Sequence, residues 1–431
     1  MVIPLEEAQD IVRGACASPP PVELPPSGAL GCVLAEPAFA LVDVPPFANS
    51  AMDGYAVRSA DVRGAPATLE VVGRVLAGAT LGGEVGPGQA ARIMTGAPLP
   101  SGADAVCMIE RTRGDEEGLP GARVVIEVRI EPGENVRSPG GDVRAGELVL
   151  DAGAEVGPTQ LAAVLSAGCA ALSVHPRPRV GVISTGDELV DPGSALGPAQ
   201  IYDSNRPMLL ALVAEAGCTA LDLGRSGDDE DALATRITDA LPRVDALVLT
   251  GGVSVGDVDV VRMVLDRLGG AATRWLQVAV RPARPFCFSV LSGPDRQVPV
   301  FGLPGNPVSS AVSFELLVRP SLRAVAGHRV TERPRVVARS AEPLRRSRDG
   351  KTHFVRVRLA ADTAGPQCPE GQRVAKWIAT PCPGQGSHQI RSMGLADGLA
   401  VVADGEGAEA GADVEVMVTN PALVAAFVGL P

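Results

Sequence analysis

Carboxylates and glycines recur at three places where an apolar run gives way to a helical pattern, an arrangement suited to chemistry on anions. Thr250 to Asp259, TGGVSVGDVD, follows the apolar run Ala246 to Leu249 and precedes the helical pattern from Val260. Glycines let the backbone turn its N–H groups toward an anion, and the dipole of the following helix adds to the attraction. The segment has neither the lysine of a P-loop nor the G-x-G-x-x-G spacing. A glycine-rich turn closing a strand-helix unit, with Asp257 or Asp259 as its cap, is the plain structural alternative. Ser184 to Leu189, STGDEL, brings Asp187 and Glu188 to the end of another apolar run, and GRSGDDED brings Asp228 and Asp229. Carboxylates crowded at one rim raise one another's pKa unless a cation sits among them. Mg²⁺ is the simplest such cation, because it takes oxygen ligands and keeps waters. Taken singly, each acid would serve as a helix cap or a solvated surface group.

A second anion site is suggested by Phe301 to Ser310, FGLPGNPVSS, with Asn306 as expected N-cap and Pro307 at the first helical position. Such a start would present Ser309, Ser310 and open N–H groups to a ligand. Good helix initiation alone explains the same residues. Val44 to Val57, VPPFANSAMDGYAV, sets Asn49, Ser50 and Asp53 beside Gly54 as a polar loop of fixed shape, equally readable as a structural turn. In GENVRSPGGD, Arg137 offers a guanidinium for phosphate or carboxylate and Asp142 a metal or proton ligand; a surface hairpin is the simpler reading there.

These segments need elements to position them. Residues 2 to 17 have apolar positions at helical spacing and stop at the proline run Pro19 to Pro26. From Gly31 to about Gly146 short β-like runs are punctuated by glycine, which predicts an all-β module. Residues 151 to 175 read as one helix and a short strand, where the chain returns from an insertion. Between Arg179 and His328 strand and helix patterns alternate, which argues a parallel sheet flanked by helices, with ligands beyond the carboxyl ends of its strands. After Arg333 the runs read as a small, separate β domain.

With 431 residues, 46% of them hydrophobic and 20% charged, the chain has apolar surface enough for several packed domains. No apolar stretch reaches the roughly 20 residues that span a bilayer, and MVIPLEEAQD does not read as a signal peptide. A cytoplasmic protein with no membrane role is expected. A net charge of −12 is the wrong balance for neutralising nucleic-acid phosphates, so no nucleic-acid partner is expected. Eight cysteines without a C-x-x-C pair and four histidines argue against a structural zinc site or a disulfide framework. Only Lys351 and Lys376 are lysines, so arginine supplies nearly all the positive charge.

VPPFANSAMDGYAV, RIMTGAPLP, GENVRSPGGD, STGDEL, IYDSNRPML, TGGVSVGDVD and LPGNPVSS stand in this order along nearly the whole chain. In this the chain resembles the MoeA family, the molybdenum-inserting enzymes of molybdenum cofactor synthesis, whose eukaryotic relatives include the E domain of gephyrin. The resemblance implies a multidomain α/β plus β architecture. An N-terminal helix and linking domain would cover 1–44 and 147–176, with a β-rich domain inserted at 45–146. A central three-layer α/β molybdopterin-binding domain would follow at 177–328, and a small β-barrel-like domain at 329–431.

The implied reaction inserts molybdate into adenylylated molybdopterin with Mg²⁺-dependent release of AMP. Carried over by motif, Asp53, Asp142, Glu188, Asp228 and Asp259 would be catalytic. Glu188, Asp228, Asp257 and Asp259 would be the metal ligands, with Asp229 as a register alternative. Substrate contacts would come from Thr95, Arg137, Thr185, Gly252, Ser254, Arg281, Arg284, Pro304, Gly305, Asn306, Ser309, Arg356 and Ser387. A homodimer is implied, with transient contacts to the adenylyltransferase and to acceptor molybdoenzymes. One departure stands out: where the family has K-V-A-x-K-P-G-K-P this chain reads QVAVRPARP, with Gln277, Arg281 and Arg284 at the lysine positions. An arginine fork does not place charge as an ammonium does. A pterin-binding scaffold that lost turnover is therefore the alternative function, and an ATP-consuming adenylyltransferase is a third.

Overall fold

The computed structural model describes residues 2–114, 117–252, 260–346, 348–362, 376–420 and 422–423. The chain forms two compact units, one of Met1–Val22 with His175–Pro431 and one of Glu23–Val174.

In the first unit a seven-stranded sheet runs in the order Val2–Ile3, Arg274–Val278, Pro285–Ser292, Gln297–Leu303, Ala246–Thr250, Arg179–Thr185, Thr219–Ser226. The last four are parallel, as alternation of strand and helix predicts. Pro285–Ser292 instead runs antiparallel to both neighbours, so the sheet is mixed. The reason is loop length, since the four residues Gly293 to Arg296 can close a hairpin but cannot carry a crossover. All five residues of Ala246–Thr250 are buried, as a strand covered on both faces requires. Side chains alternate between two cores. Val180, Val182, Ala246 and Val248 pack with Leu209 and Val213 of the helix Asn205–Glu215. Ile183, Leu247 and Leu249 pack with Leu233 and Ile237 of Glu230–Ala240 and Val261 and Val264 of Val260–Gly269. Period-2 alternation between two helix layers makes this a three-layer α/β sandwich.

The expected helix over residues 2–17 is shorter, Leu5–Ala15. Pro4 stands before it at φ −57°, ψ 156°, and this extended residue leaves Val2–Ile3 free to pair with Gln277 and Val278. The pattern PVSSAVSFELLVRPSL forms Pro307–Ser313, a widened π turn over Phe314–Val318, and Arg319–Val325. Pro320 has no N–H and its ring crowds the carbonyl four residues back, which the wider turn relieves. Glu315, buried in that turn, takes a two-pronged pair from Arg333 at 2.8 and 2.9 Å, and Arg333 also reaches Glu215 at 2.6 Å.

The C-terminal strands close into a five-stranded barrel. Around it Thr352–Asp362 is followed by Lys376–Pro381, Arg335–Ser340, Asp413–Val418 and Gly398–Val402, which pairs back to the first. Val357, Leu359, Ala379, Ala400 and Val416 fill it. Val280–Arg281 adds alongside Thr352–His353, so barrel and sheet share one compact unit.

In the second unit a six-stranded sheet runs in the order Thr112–Gly114, Arg123–Ile126, Ala67–Val75, Gln89–Ile93, Gly54–Val57, Ala105–Met108. Tyr55, Val71, Val124 and Ile126 are among its buried core. The helix Pro158–Ser166 packs Val164 against Leu34, Ala38 and Leu172 in a separate small core. Among the described residues no helix is long and apolar enough to cross a membrane.

Candidate functional site

In the second unit three of the singled-out segments converge. Asp53 lies in the turn between Asn49–Ser50 and Gly54–Val57, and one carboxylate oxygen accepts from the Thr95 N–H at 2.7 Å and the Thr95 hydroxyl at 2.9 Å. Those two hydrogen bonds, backbone first, hold the exposed Asp53 carboxyl below the usual carboxylate range. Gly54 is required beside it, because a Cβ there would collide with the Cys107 carbonyl oxygen. Asn49 pairs across strands with Arg137 and bridges to Pro98, while the Asp142 N–H donates to the Val44 carbonyl at 2.9 Å. Asp53, Thr95, Arg137 and Asp142 are all exposed.

The first unit gathers the strand-end loops. Thr185 ends Arg179–Thr185, and its hydroxyl donates to the Thr250 carbonyl at 3.4 Å. Gly251 follows at φ 104°, where a Cβ would meet Thr185, so only glycine lets these loops touch. Gly252 comes next at φ 61°. The Glu188 carboxylate folds over Gly186, and Asp187 Oδ1 accepts the Asp228 N–H at 3.1 Å, so Asp187 and Asp228 meet at the exposed rim. Asp229 is engaged otherwise: it caps Glu230–Ala240, accepting from the Ala232 N–H at 2.8 Å. Ser254, Asp257 and Asp259 lie outside the described residues. Among the described residues no group of three or more His, Cys, Asp or Glu side chains is arranged to hold a metal ion. Glu188 and Asp228 are exposed carboxylates, the donor type of Mg²⁺, which characteristically takes one or two carboxylates and completes its shell with water and substrate phosphate.

The LPGNPVSS loop lies against the strand end at Thr250 and Gly251. Asn205 Nδ2 donates to the Thr250 hydroxyl at 3.0 Å and to the Gly305 carbonyl at 2.7 Å. Asn306 is the N-cap of Pro307–Ser313, as expected, with its side chain lining a cavity and making no capping bond among the described residues. One expectation for the loop is corrected. Ser310 is not offered to a ligand: it is fully buried with its hydroxyl 3.3 Å from that of Thr250, and its N–H is taken by the Asn306 carbonyl at 2.9 Å.

That cavity, about 780 Å³, is lined by Arg281, Arg284, Pro304, Asn306, Ser309 and Ser387, together with Arg345, Arg346, Lys351 and His353. Ala283, at φ 82°, holds the turn between Arg281 and Arg284 in a conformation that L residues seldom adopt. Gln277 lies in the strand Arg274–Val278 and is not among the lining residues. Arg356 is fully buried; its Nη2 donates to the carbonyls of Gly384 and Gly386 at 3.1 and 3.3 Å, while Nε and Nη1 have no partner among the described residues. Burial holds its guanidinium below its ordinary value, and Gly386, whose carbonyl it reaches, lines the cavity next to Ser387. Arg345, Lys351 and His353 were missed in the sequence, although Lys351 is one of only two lysines. A cluster of cations opening into a volume of this size suits an anionic ligand of cofactor dimensions.

Comparison with known proteins gives three consecutive family matches. Residues 3–168 match the MoeA N-terminal region (domain I and II), 181–324 the "Probable molybdopterin binding domain", and 338–419 the MoeA C-terminal region (domain IV). Molybdopterin molybdenumtransferase 2 of Mycobacterium tuberculosis is 37% identical over 389 residues, 87% of this chain and 93% of that protein. Molybdopterin molybdenumtransferase 1 of the same organism is 34% identical over 421 residues, covering 93% and 95%. A solved structure of a molybdopterin biosynthesis moeA protein from Pyrococcus horikoshii superposes with TM-score 0.76 at 33% identity, covering 97% of this chain and 99% of that one.

Proposed function

The chain belongs to the MoeA family and is a transferase of molybdenum cofactor biosynthesis, and on that premise we propose that it inserts molybdate into adenylylated molybdopterin with Mg²⁺-dependent release of AMP. One observation carries this reading: the cavity of about 780 Å³ presents Arg281, Arg284 and Lys351 directly beside Pro304 and Asn306, in the loop that Asn205 ties to the strand end at Thr250. Both substrates are anions, and carboxylates alone would repel them. Arg281, Arg284 and Lys351 would hold oxyanion charge, Ser309 and Ser387 would donate hydroxyl hydrogen bonds, and Arg356 would add positive potential from behind Gly386. The strand-end loops at Thr185 and Gly252 would seat the pterin phosphate against backbone N–H groups, with Ser254 joining them.

Glu188 and Asp228, with Asp257 and Asp259, would hold Mg²⁺, which when bound supplies charge neutralisation on the anhydride phosphates. Asp53, Thr95, Arg137 and Asp142 belong to the same proposed machinery through the family motif. The four-region division given above, the homodimer, the transient partners and the cytoplasmic location go with this reading.

The test is single-turnover AMP release from adenylylated molybdopterin with Mg²⁺, with and without molybdate. Molybdate-dependent release, lost in Glu188→Ala, is the expected result. Tight pterin binding without release would overturn it in favour of the scaffold reading, and pyrophosphate formation from ATP would point to the adenylyltransferase.

A further inference from the structure

An anion sits against the cationic lining of the cavity, in contact with three of its basic residues. Asp349 lies in the turn that leads into the barrel strand Thr352–Asp362, with its side chain 20% exposed. Its Oδ2 accepts from Lys351 Nζ at 2.9 Å and lies 3.9 Å from Arg281 Nη1, and its Oδ1 accepts from Arg346 Nη2 at 2.8 Å. His353 Nε2 lies 3.2 and 3.3 Å from the two oxygens. Four basic side chains from three segments thus converge on one carboxylate.

They are not equivalent. Arg346 is built into the wall, its Nη1 donating to the carbonyls of Lys351, Val402 and Ala403 and its Nη2 also to Asp404. Arg281, with a side chain 65% exposed, touches Asp349 only loosely and faces the same cavity as Lys351. The hydrogen bond from Lys351, opposed by desolvation and aided by His353, brings the Asp349 carboxyl down to about 2, so its charge is present at neutral pH.

We propose that Asp349 is an internal competitor that sets the oxyanion affinity of this cavity, a role that rests on reading the cavity as the oxyanion site. A tetrahedral dianion entering between Arg281, Arg284 and Lys351 takes Lys351 and Arg281 from the carboxylate and meets the repulsion of Asp349 as it does so. The result is a site that strong dianions such as sulfate or phosphate, abundant in any cell, fill only weakly and leave readily. Repulsion scales with ligand charge, so the effect is larger for a dianion than for a monoanion of the same shape.

Calorimetric titration of the whole protein in chloride buffer, with molybdate as dianion and perrhenate as tetrahedral monoanion, reads this directly. Asp349→Asn is expected to tighten molybdate about tenfold and perrhenate only about threefold, the square-root relation that halving the ligand charge implies. A merely structural role for Asp349 would loosen Lys351 and weaken both anions alike, and that result overturns the proposal, as does equal tightening of the two. Lys351→Met is the second variant, and it must weaken molybdate more than perrhenate. Arg284→Ala separates the two levels of inference. If the wild-type protein binds neither anion, or Arg284→Ala leaves binding unchanged, the oxyanion reading of the cavity fails. If binding is present and sensitive to Arg284 but Asp349→Asn does not tighten it, only the competitor role fails.

Discussion

Asn205 donates from a single amide nitrogen to the Gly305 carbonyl at 2.7 Å and to the Thr250 hydroxyl at 3.0 Å, fastening two strand-end loops to the first residue of a helix. The neighbouring Asp203, almost fully buried, accepts from Ser184 Oγ at 2.6 Å and Arg206 Nε at 3.0 Å, so the same short segment also grips the STGDEL loop. Asn205→Ala frees both loops at a cost of about 1 kcal/mol per lost hydrogen bond. Misplacement by an ångström suffices for a rate loss on the order of a hundredfold. The expected signature is a raised KM for the pterin substrate with molybdate binding unaltered in calorimetry; equal loss of both would assign Asn205 a general structural role.

Asp53 is exposed, and its carboxylate is organised by Thr95 alone among the hydrogen bonds described for it. Asp53→Asn keeps an acceptor for both Thr95 donors and removes only the charge. Melting temperature should stay close to that of wild type, as for other surface substitutions, while AMP release drops at least about tenfold. Activity within twofold of wild type would remove Asp53 from the proposed machinery.

The pair of Arg333 and Glu315 is buried, with both partners nearly inaccessible. Arg333→Met leaves the Glu315 carboxylate without its bidentate partner and should cost about 3 to 5 kcal/mol, read from urea unfolding midpoints. Coupling Arg333→Met with Glu315→Leu should recover most of that loss. A single variant that unfolds where wild type does would mean that water replaces the pair.

His353 carries the clearest pH prediction. Burial lowers its pKa from the ordinary 6.5, and the hydrogen bond to Asp349 opposes that only in part. Since the folded value lies below the unfolded one, the unfolded chain takes the proton first as pH falls. The stability from His353 is full above about pH 6.5 and is lost between there and the lower folded value. Thermal melts from about pH 7 to about pH 5 should fall less steeply for His353→Gln than for wild type, and identical slopes would contradict it.

How much of this was legible in the sequence depends on the range of the interaction. Glycine at 54 and 251 marks places where backbone passes close to backbone, and the strand-to-helix loops could be counted off along the chain. Arg281 and Arg284 were found because they stand at lysine positions of the family motif. The site's other charges were not, since Arg281 meets Asp349 and Arg346 meets Asp404 across gaps of 68 and 58 residues that no local pattern reports. Competition between local roles explains other differences. Asp229 satisfies its helix terminus, and Ser310 turns inward to Thr250, because a nearby backbone or hydroxyl partner was available to each. Gln277 stood at a lysine position of the family motif, yet its place in the strand Arg274–Val278 keeps it out of the cavity lining, so its exchange bears less on the oxyanion than the motif suggests.

The closed barrel also imposes an order of events on synthesis. Asp413–Val418 is the stave that pairs with both Arg335–Ser340 and Gly398–Val402, so the cylinder cannot shut until the ribosome has passed residue 418. Until then the strand bearing His353 and Arg356 lacks a finished wall behind it, and two neighbouring strands keep open edges of the kind that recruit other chains. Assembly of the oxyanion cavity is thus a late step of translation, and nascent chains arrested short of that stave should depend most on chaperones.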